Sequence, residues 1–287
     1  MSLAIITQCV ARNSILKLHC HTVSKYFKNY NHYIYFPFGK ESYTKIINEY
    51  NIKAYDPSDV MWRRNDSVPD SGYGMMLNEV LEDKFIFLHD DVYFNDLFDY
   101  NTVIQDLSSH DFIGCLDSVS LDTPYPYDQV LYKNIPIYKL RIGTYFMCGD
   151  KNVFLSNNMS TGSMKYLVPI LSNILLNNYK LKIKKTIMVD GGFNFNFEIL
   201  KNKYSVKRYE HLKGVVHMER FSNFFISRGL KPFTVNEKLW SENKFKYDSK
   251  KKKNDKKVLM KFALILENNN IHDDFLNTNT IKSMFTN

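Results

Sequence analysis

The stretch Phe85-Ile86-Phe87-Leu88-His89-Asp90-Asp91-Val92 restricts the fold more than any other part of this 287-residue chain. Four apolar residues run into an imidazole and two carboxylates, and apolar residues resume at once. A short unbroken apolar run reads as a strand buried on both faces, inside a sheet covered by helices. Its carboxyl end then presents oxygen ligands at the edge where open α/β sheets bind theirs. Adjacent carboxylates repel, and a buried charge is costly unless paired or metal-bound. A divalent hard cation, Mg2+ or Mn2+, settles both problems. As a dipeptide alone, Asp90-Asp91 serves equally well as the start of a polar loop.

The rest of the chain alternates strands and helices around that stretch. Leu3 to Val10 predicts a first central strand, with Thr7 near its end. Arg12 follows, and Asn13 or Ser14 caps a helix reaching Phe27. Tyr33 to Phe38 predicts a second strand, Glu41 to Tyr50 a helix, and Ile52 to Tyr55 a third strand closed by Asp56-Pro57. A polar loop containing Arg64 precedes a helix from Gly74 to Leu81, which carries Asn78 and feeds the strand at Phe85. Further on come a helix from Asp99 to Leu107, strands over Asp111–Leu116 and Arg141–Gly149, and a capped helix beginning at Asp150. Lys165 to Asn177 suits an amphipathic helix, Tyr204 to Tyr209 an edge strand, and Gly214 to His217 a short strand. Such alternation predicts an α/β fold with a mostly parallel sheet. At 44% apolar and 15% aromatic residues, the chain can bury the core that this needs.

Charge and cysteines narrow the class. The formal charge is +8, and Lys244 to Lys257 supplies eight lysines against two aspartates, a net +6. That run reads as a solvated loop or as a contact for a polyanion. Cys9, Cys20, Cys115 and Cys148 show no metal or disulfide spacing and suit a reducing, cytoplasmic compartment. Neither Leu3–Ile6 nor Val258–Leu266 is long enough to predict a membrane segment.

The order of an alternating N-terminal half, a Gly/Asn-containing helix, and hydrophobic-x-Asp-Asp-Val resembles the nucleotide-sugar-binding half of a GT-A glycosyltransferase. The resemblance covers roughly residues 1–225 and implies a GT-A (Rossmann-like) mixed, mostly parallel sheet flanked by helices. Residues 226–287 are then a basic linker and a small helical extension, with helices from about Asp255 to Glu267 and from Asp273 to Phe285. The family's segment usually ends in Asp-any-Asp, and here His89 replaces the first acid. The resemblance implies that Asp91 holds the metal and that His217 is a second ligand; an imidazole suits Mn2+ better than Mg2+. It also implies a UDP-linked nucleotide-sugar donor, with Thr7, Arg12, Asp56, Arg64, Asn78, His89 and Asp90 as its binding residues. In the same way Asp190, before Gly191-Gly192, is the candidate acceptor-side base, with Glu198 in reserve; Asp before Gly-Gly is also an ordinary turn.

The acceptor is open. A glycan or lipid-linked saccharide fits the resemblance. A hydroxymethylated base in phage-type DNA fits the lysine run and the pI near 9.0; aromatics in Tyr125–Tyr138 are candidates to stack on an exposed base. A non-catalytic nucleotide- or DNA-binding module is the alternative from another class. A nucleotidyltransferase is disfavoured, because Thr7 to Ser14 contains no glycine for a phosphate-binding turn. Oligomeric state is not legible.

Overall fold

A computed structural model describes residues 2–59, 72–116, 131–132, 135–136, 140–157, 159, 193–218, 221–226, 228–243 and 249–285. Seven strands form the main sheet: β1 (Leu3–Gln8), β2 (Asn31–Tyr35), β3 (Lys53–Tyr55), β4 (Lys84–His89), β6 (Phe112–Leu116), β9 (Ile142–Asp150) and β10 (Val206–Tyr209). Their order is β3-β2-β1-β4-β9-β6-β10. Strand β9 alone runs against its neighbours; the other adjacent pairs, β1/β2, β1/β4, β2/β3 and β6/β10, are parallel. This is the mixed, mostly parallel sheet flanked by helices that the sequence predicts.

The apolar run at the centre behaves as its composition demands. Phe85, Ile86, Phe87 and Leu88 are all fully buried, and alternate residues serve opposite faces. Phe85 and Phe87 pack with Met76 and Leu77 of α3 (Gly72–Leu77), Phe154 of α5 (Lys151–Ser156) and Phe195 of α6 (Phe193–Asn202). Ile86 and Leu88 face Val23 of α1 (Asn13–Tyr26) and Val103 of α4 (Tyr100–Ser109). The predicted cap at Asp150 forms, accepting from Val153 N at 3.0 Å, and Asp99 caps α4 from Asn101 N at 3.0 Å. The cap predicted at Asn13 or Ser14 does not form: Arg12 is the N-cap of α1 and its side chain makes no capping bond, while the Ser14 hydroxyl goes to Asp273. The helix predicted over Glu41–Tyr50 divides into a 3-10 turn (Glu41–Tyr43) and α2 (Thr44–Glu49).

A second, two-stranded sheet joins β5 (Val92–Phe94) to β11 (Val215–His217), antiparallel, with His217 opposite Val92. Short strands β7 (Leu131–Tyr132) and β8 (Ile135–Pro136) pair antiparallel. The predicted helix Lys165–Asn177, and most of the Tyr125–Tyr138 aromatics, lie outside the described residues.

The C-terminal quarter departs from expectation. Residues around Lys231 form no loose linker: Pro232–Thr234 is a 3-10 turn, and Pro232, Val235 and Trp240 are buried. Most of the lysine run lies on a helix rather than a loop: α9 begins at Ser249 and runs to Asn268, and α10 spans Thr278–Met284. The reason is the opposite face of α9. Leu259, Phe262, Ala263 and Leu266 recur at helical spacing and are buried, while Lys253, Lys257 and Lys261 stay exposed. The buried stripe packs with Phe221, Phe224 and Phe225 of α7 (Phe221–Ile226), with Trp240 of α8 (Glu237–Asn243), and with Ala11, Ile15 and Leu18 at the start of α1. No helix among the described residues is long and apolar enough to cross a membrane.

Candidate metal centre

The parallel strands all end at one edge, and there His89, Asp91 and His217 converge. One ligand atom from each lies within 4.8 Å of the others. Chain order alone would not suggest it, since 126 residues separate Asp91 from His217. Strand pairing does it: β5 leaves directly from Asp91, β11 pairs with β5, and Met218 N donates to Asp91 O at 2.9 Å. His217 Nε2 stands 3.2 Å from Asp91 Oδ1, an ion-pair contact. Oδ1 is buried and finds no better-aligned donor among the described residues.

One aromatic ring and one hydroxyl set the imidazoles. Tyr145 stacks on His217, with ring centroids 4.6 Å apart and planes 2° from parallel. Thr144 Oγ1 lies 3.0 Å from His89 Nε2. Both partners come from β9, whose reversed direction brings its beginning to the edge where β1 and β4 end. Sequence reading finds this strand but not its direction, so it misses Thr144 and Tyr145.

The two carboxylates take different tasks. Asp90 Oδ2 accepts from the backbone N–H of Val10 at 2.5 Å and of Ala11 at 2.7 Å. Burial and the charge of Asp91 push the Asp90 carboxyl well above the usual carboxylate range, and these two N–H groups only partly offset them. Burial also acts to raise Asp91, but the bond and charge of His217, with the charge of His89, hold it below its ordinary value. Asp91 is thus the carboxylate kept ionised, and Asp90 ties the strand end to the loop after β1.

Beneath the site lies a buried polar chain. His19 Nδ1 is 2.6 Å from Val92 O, so it carries the proton and donates. Neutral His19 then accepts at Nε2 from the Thr7 hydroxyl, 3.0 Å away. Thr7 Oγ1 in turn accepts from His32 Nε2 at 3.1 Å. Burial pushes His19 down to about 4, and burial with the charge of His19 holds His32 well below its ordinary value. The predicted donor-binding residue Thr7 therefore sits in the core, fully buried.

The remaining candidates are dispersed. Arg12 is bidentate on Asp273, with Nε and Nη2 each 3.0 Å from a carboxylate oxygen. Asp56 stays at the carboxyl edge after β3, where it accepts from Ser58 N at 2.9 Å and from Ser58 Oγ at 2.5 Å. Asn78 is not brought to the site: it follows α3 near the opposite, amino edge, exposed, its Nδ2 on Gly74 O at 3.4 Å. Glu198 lies mid-way along α6, held by Lys201 at 3.3 Å and Asn202 at 3.1 Å. Arg64 and Asp190 lie outside the described residues.

Two imidazoles and one carboxylate form a borderline donor set, better matched to Mn2+ than to Mg2+. The ionised, buried Asp91 is the charge such a cation requires, and a 4.8 Å span needs only small side-chain movement to close on one ion. The residues present therefore fit a divalent cation.

No protein-family model and no curated protein matches the sequence. Solved structures do match. Residues 1–349 of TarS from S. aureus match at TM-score 0.38 and 11% identity, over 72% of this chain and 60% of that one. The glycosyltransferase GlyE of Streptococcus pneumoniae matches at 0.39 and 10%, over 80% and 48%. Glucosyl-3-phosphoglycerate synthase from Mycobacterium tuberculosis, in complex with Mn2+, UDP and glucosyl-3-phosphoglycerate, matches at 0.41 and 6%, over 64% and 73%. This chain thus spans three fifths of the TarS fragment and about half of GlyE.

Proposed function

We propose that the protein is a metal-dependent glycosyltransferase that moves a sugar from a nucleotide-sugar donor, UDP-linked, to an acceptor hydroxyl. The observation that carries the reading is the convergence of His89, Asp91 and His217 at the carboxyl edge of a mostly parallel sheet. That edge is where open α/β sheets take their ligands. His89, Asp91 and His217 would hold Mn2+ or Mg2+. When bound, the cation supplies positive charge for a leaving diphosphate.

The chain's own groups prepare that position. Asp91 keeps its negative charge, Tyr145 fixes the ring plane of His217, and Thr144 fixes that of His89. Asp90 stays out of the donor set because two backbone N–H groups hold it. For transfer with inversion, Asp190 is the group to take the acceptor's proton. Its support is local: Asn196 pairs with both N and O of Ile142, so the first turns of α6 stand at the same edge.

For the acceptor we retain a hydroxymethylated DNA base. Its support is the exposed stripe Lys253, Lys257 and Lys261 on α9. DNA binding of that kind weakens steeply with salt; salt-insensitive transfer to a saccharide assigns the acceptor to glycans instead. Donor turnover tests the central reading. UDP-sugar hydrolysis or transfer is expected with Mn2+ and is lost in Asp91→Ala or in excess EDTA. Full activity in either condition overturns the metal assignment.

A further inference from the structure

A polar contact that spans 261 positions of the chain ends beside the candidate site. Asp273, in the segment between α9 and α10, is only 7% exposed, yet five donors meet its carboxylate. Arg12 supplies Nε and Nη2 at 3.0 Å each, Ser14 supplies Oγ, and the N–H groups of Phe275 and Leu276 arrive at 2.9 and 2.7 Å. Burial acts to raise this carboxyl, but Arg12, Leu276 N–H and Ser14 hold it below its ordinary value. Arg12 also donates Nη1 to the carbonyls of Pro232 and Val235 and lies 5.3 Å over the Phe275 ring.

The residues that Asp273 grips flank one short turn. Val10 and Ala11 give their N–H groups to Asp90, and the Ala11 carbonyl accepts from Tyr43 at 2.7 Å. Immediately after come Arg12 and Ser14. The turn is thus pinned on one side by the strand end that carries Asp91 and on the other by a residue near the end of the chain. Asp90 immediately precedes Asp91, so the two N–H bonds tie the turn directly to the strand end that bears the candidate ligand. If the turn drifts, the two N–H bonds lengthen and the strand end at Asp90-Asp91 loses its tether.

We infer that Asp273 is a positioning residue for the candidate metal centre, acting through the turn between β1 and α1. It makes the C-terminal segment part of the working unit rather than an appendage. The inference rests on the metal reading for its consequence, but its mechanical step stands apart from it.

The test separates the two. Asp273→Asn removes the charge and keeps the shape. Asp255→Asn serves as the control, because Asp255 is buried in the same region and pairs instead with Arg228, at 2.5 Å. In the full-length protein, hydrogen exchange at Val10 and Ala11 is expected to quicken at least tenfold in Asp273→Asn beyond the change at β6, and not in Asp255→Asn. Mn2+ affinity, titrated with the metal alone, is expected to fall about tenfold in Asp273→Asn only, as for other residues that orient ligands indirectly. Unchanged exchange at Val10 and Ala11 in Asp273→Asn, or an equal rise in both variants, overturns the inference. A parent protein that binds no Mn2+ removes the metal reading, while the exchange result still decides whether Asp273 sets the turn.

Discussion

The buried chain His32–Thr7–His19 makes a quantitative prediction about acid. His19 is fully buried, and its pKa falls from the ordinary 6.5 to about 4. A folded-state pKa below the unfolded one means that the unfolded chain takes up the proton first. The stability from neutral His19 is therefore complete above pH 6.5 and drains away as pH falls toward about 4. Each pH unit in that window is worth about 1.4 kcal/mol, so between pH 7.5 and 4.5 His19 alone removes about 3 kcal/mol. Asp90 runs the other way: its raised carboxyl pKa favours the fold as protons become available. The parent's own pH curve mixes both, so the useful quantity is a difference. His19→Gln retains an amide that can bond at this position but cannot titrate. At pH 7.5 it is expected to be less stable than the parent by about 1–3 kcal/mol, the cost of disturbed buried hydrogen bonds. By pH 4.5 that gap is expected to shrink by about 3 kcal/mol, closing or reversing. Urea unfolding followed by tryptophan fluorescence measures it, with Trp240 buried in the core. A gap that stays the same at both pH values refutes the reasoning.

Two further substitutions probe the frame. Gly214 has φ +82°, and an added Cβ would lie 2.1 Å from Phe98 N and 2.4 Å from Phe98 Cα, both backbone atoms that cannot give way. Gly214→Ala is expected to cost at least about 2 kcal/mol in urea unfolding, and, because β11 follows at Val215, to weaken Mn2+ binding as well; a neutral effect would contradict the turn geometry. Asp255→Ala removes the buried carboxylate that faces the Arg228 guanidinium and is expected to cost about 3–5 kcal/mol, whereas replacing both partners with apolar residues recovers most of it. Thermal unfolding of the single and double variants decides this, and equal losses in both would show that the pair contributes little.

Much of this arrangement was legible in the residues. Strand β4 was, because four consecutive apolar residues, too few for a helix and rich in Phe and Ile, suit a strand covered on both faces. The cap at Asp150 was, because capping is a local event; the one read at Asn13 or Ser14 was displaced, because Ser14 turns to the distant Asp273. His217 stood out as an imidazole ending an apolar run, although only the β5/β11 pairing shows why it returns to Asp91. What escaped was non-local. The residues of β9 look the same whichever way the strand runs, so Thr144 and Tyr145 could not be placed. Arg12 looks like a donor-binding residue next to a strand end; its partner Asp273 lies 261 positions away. Thr7 and Asn78 have the polarity of site residues, but one lies in the core and the other near the far edge. The lysine run suggested a loop because charge dominates its first half, while the apolar stripe that makes it a helix lies mostly beyond it.

The reversed course of β9 has a practical corollary. Leu116 closes β6 and pairs with Ile142, which opens β9, so the excursion between them departs from and returns to the rim that bears the two imidazoles. A segment exchanged between those two anchors leaves and re-enters at that rim, while the ladder of hydrogen bonds behind it keeps its alignment. A loop transplant there can change the rim without altering the strands that bring His89, Asp91 and His217 together.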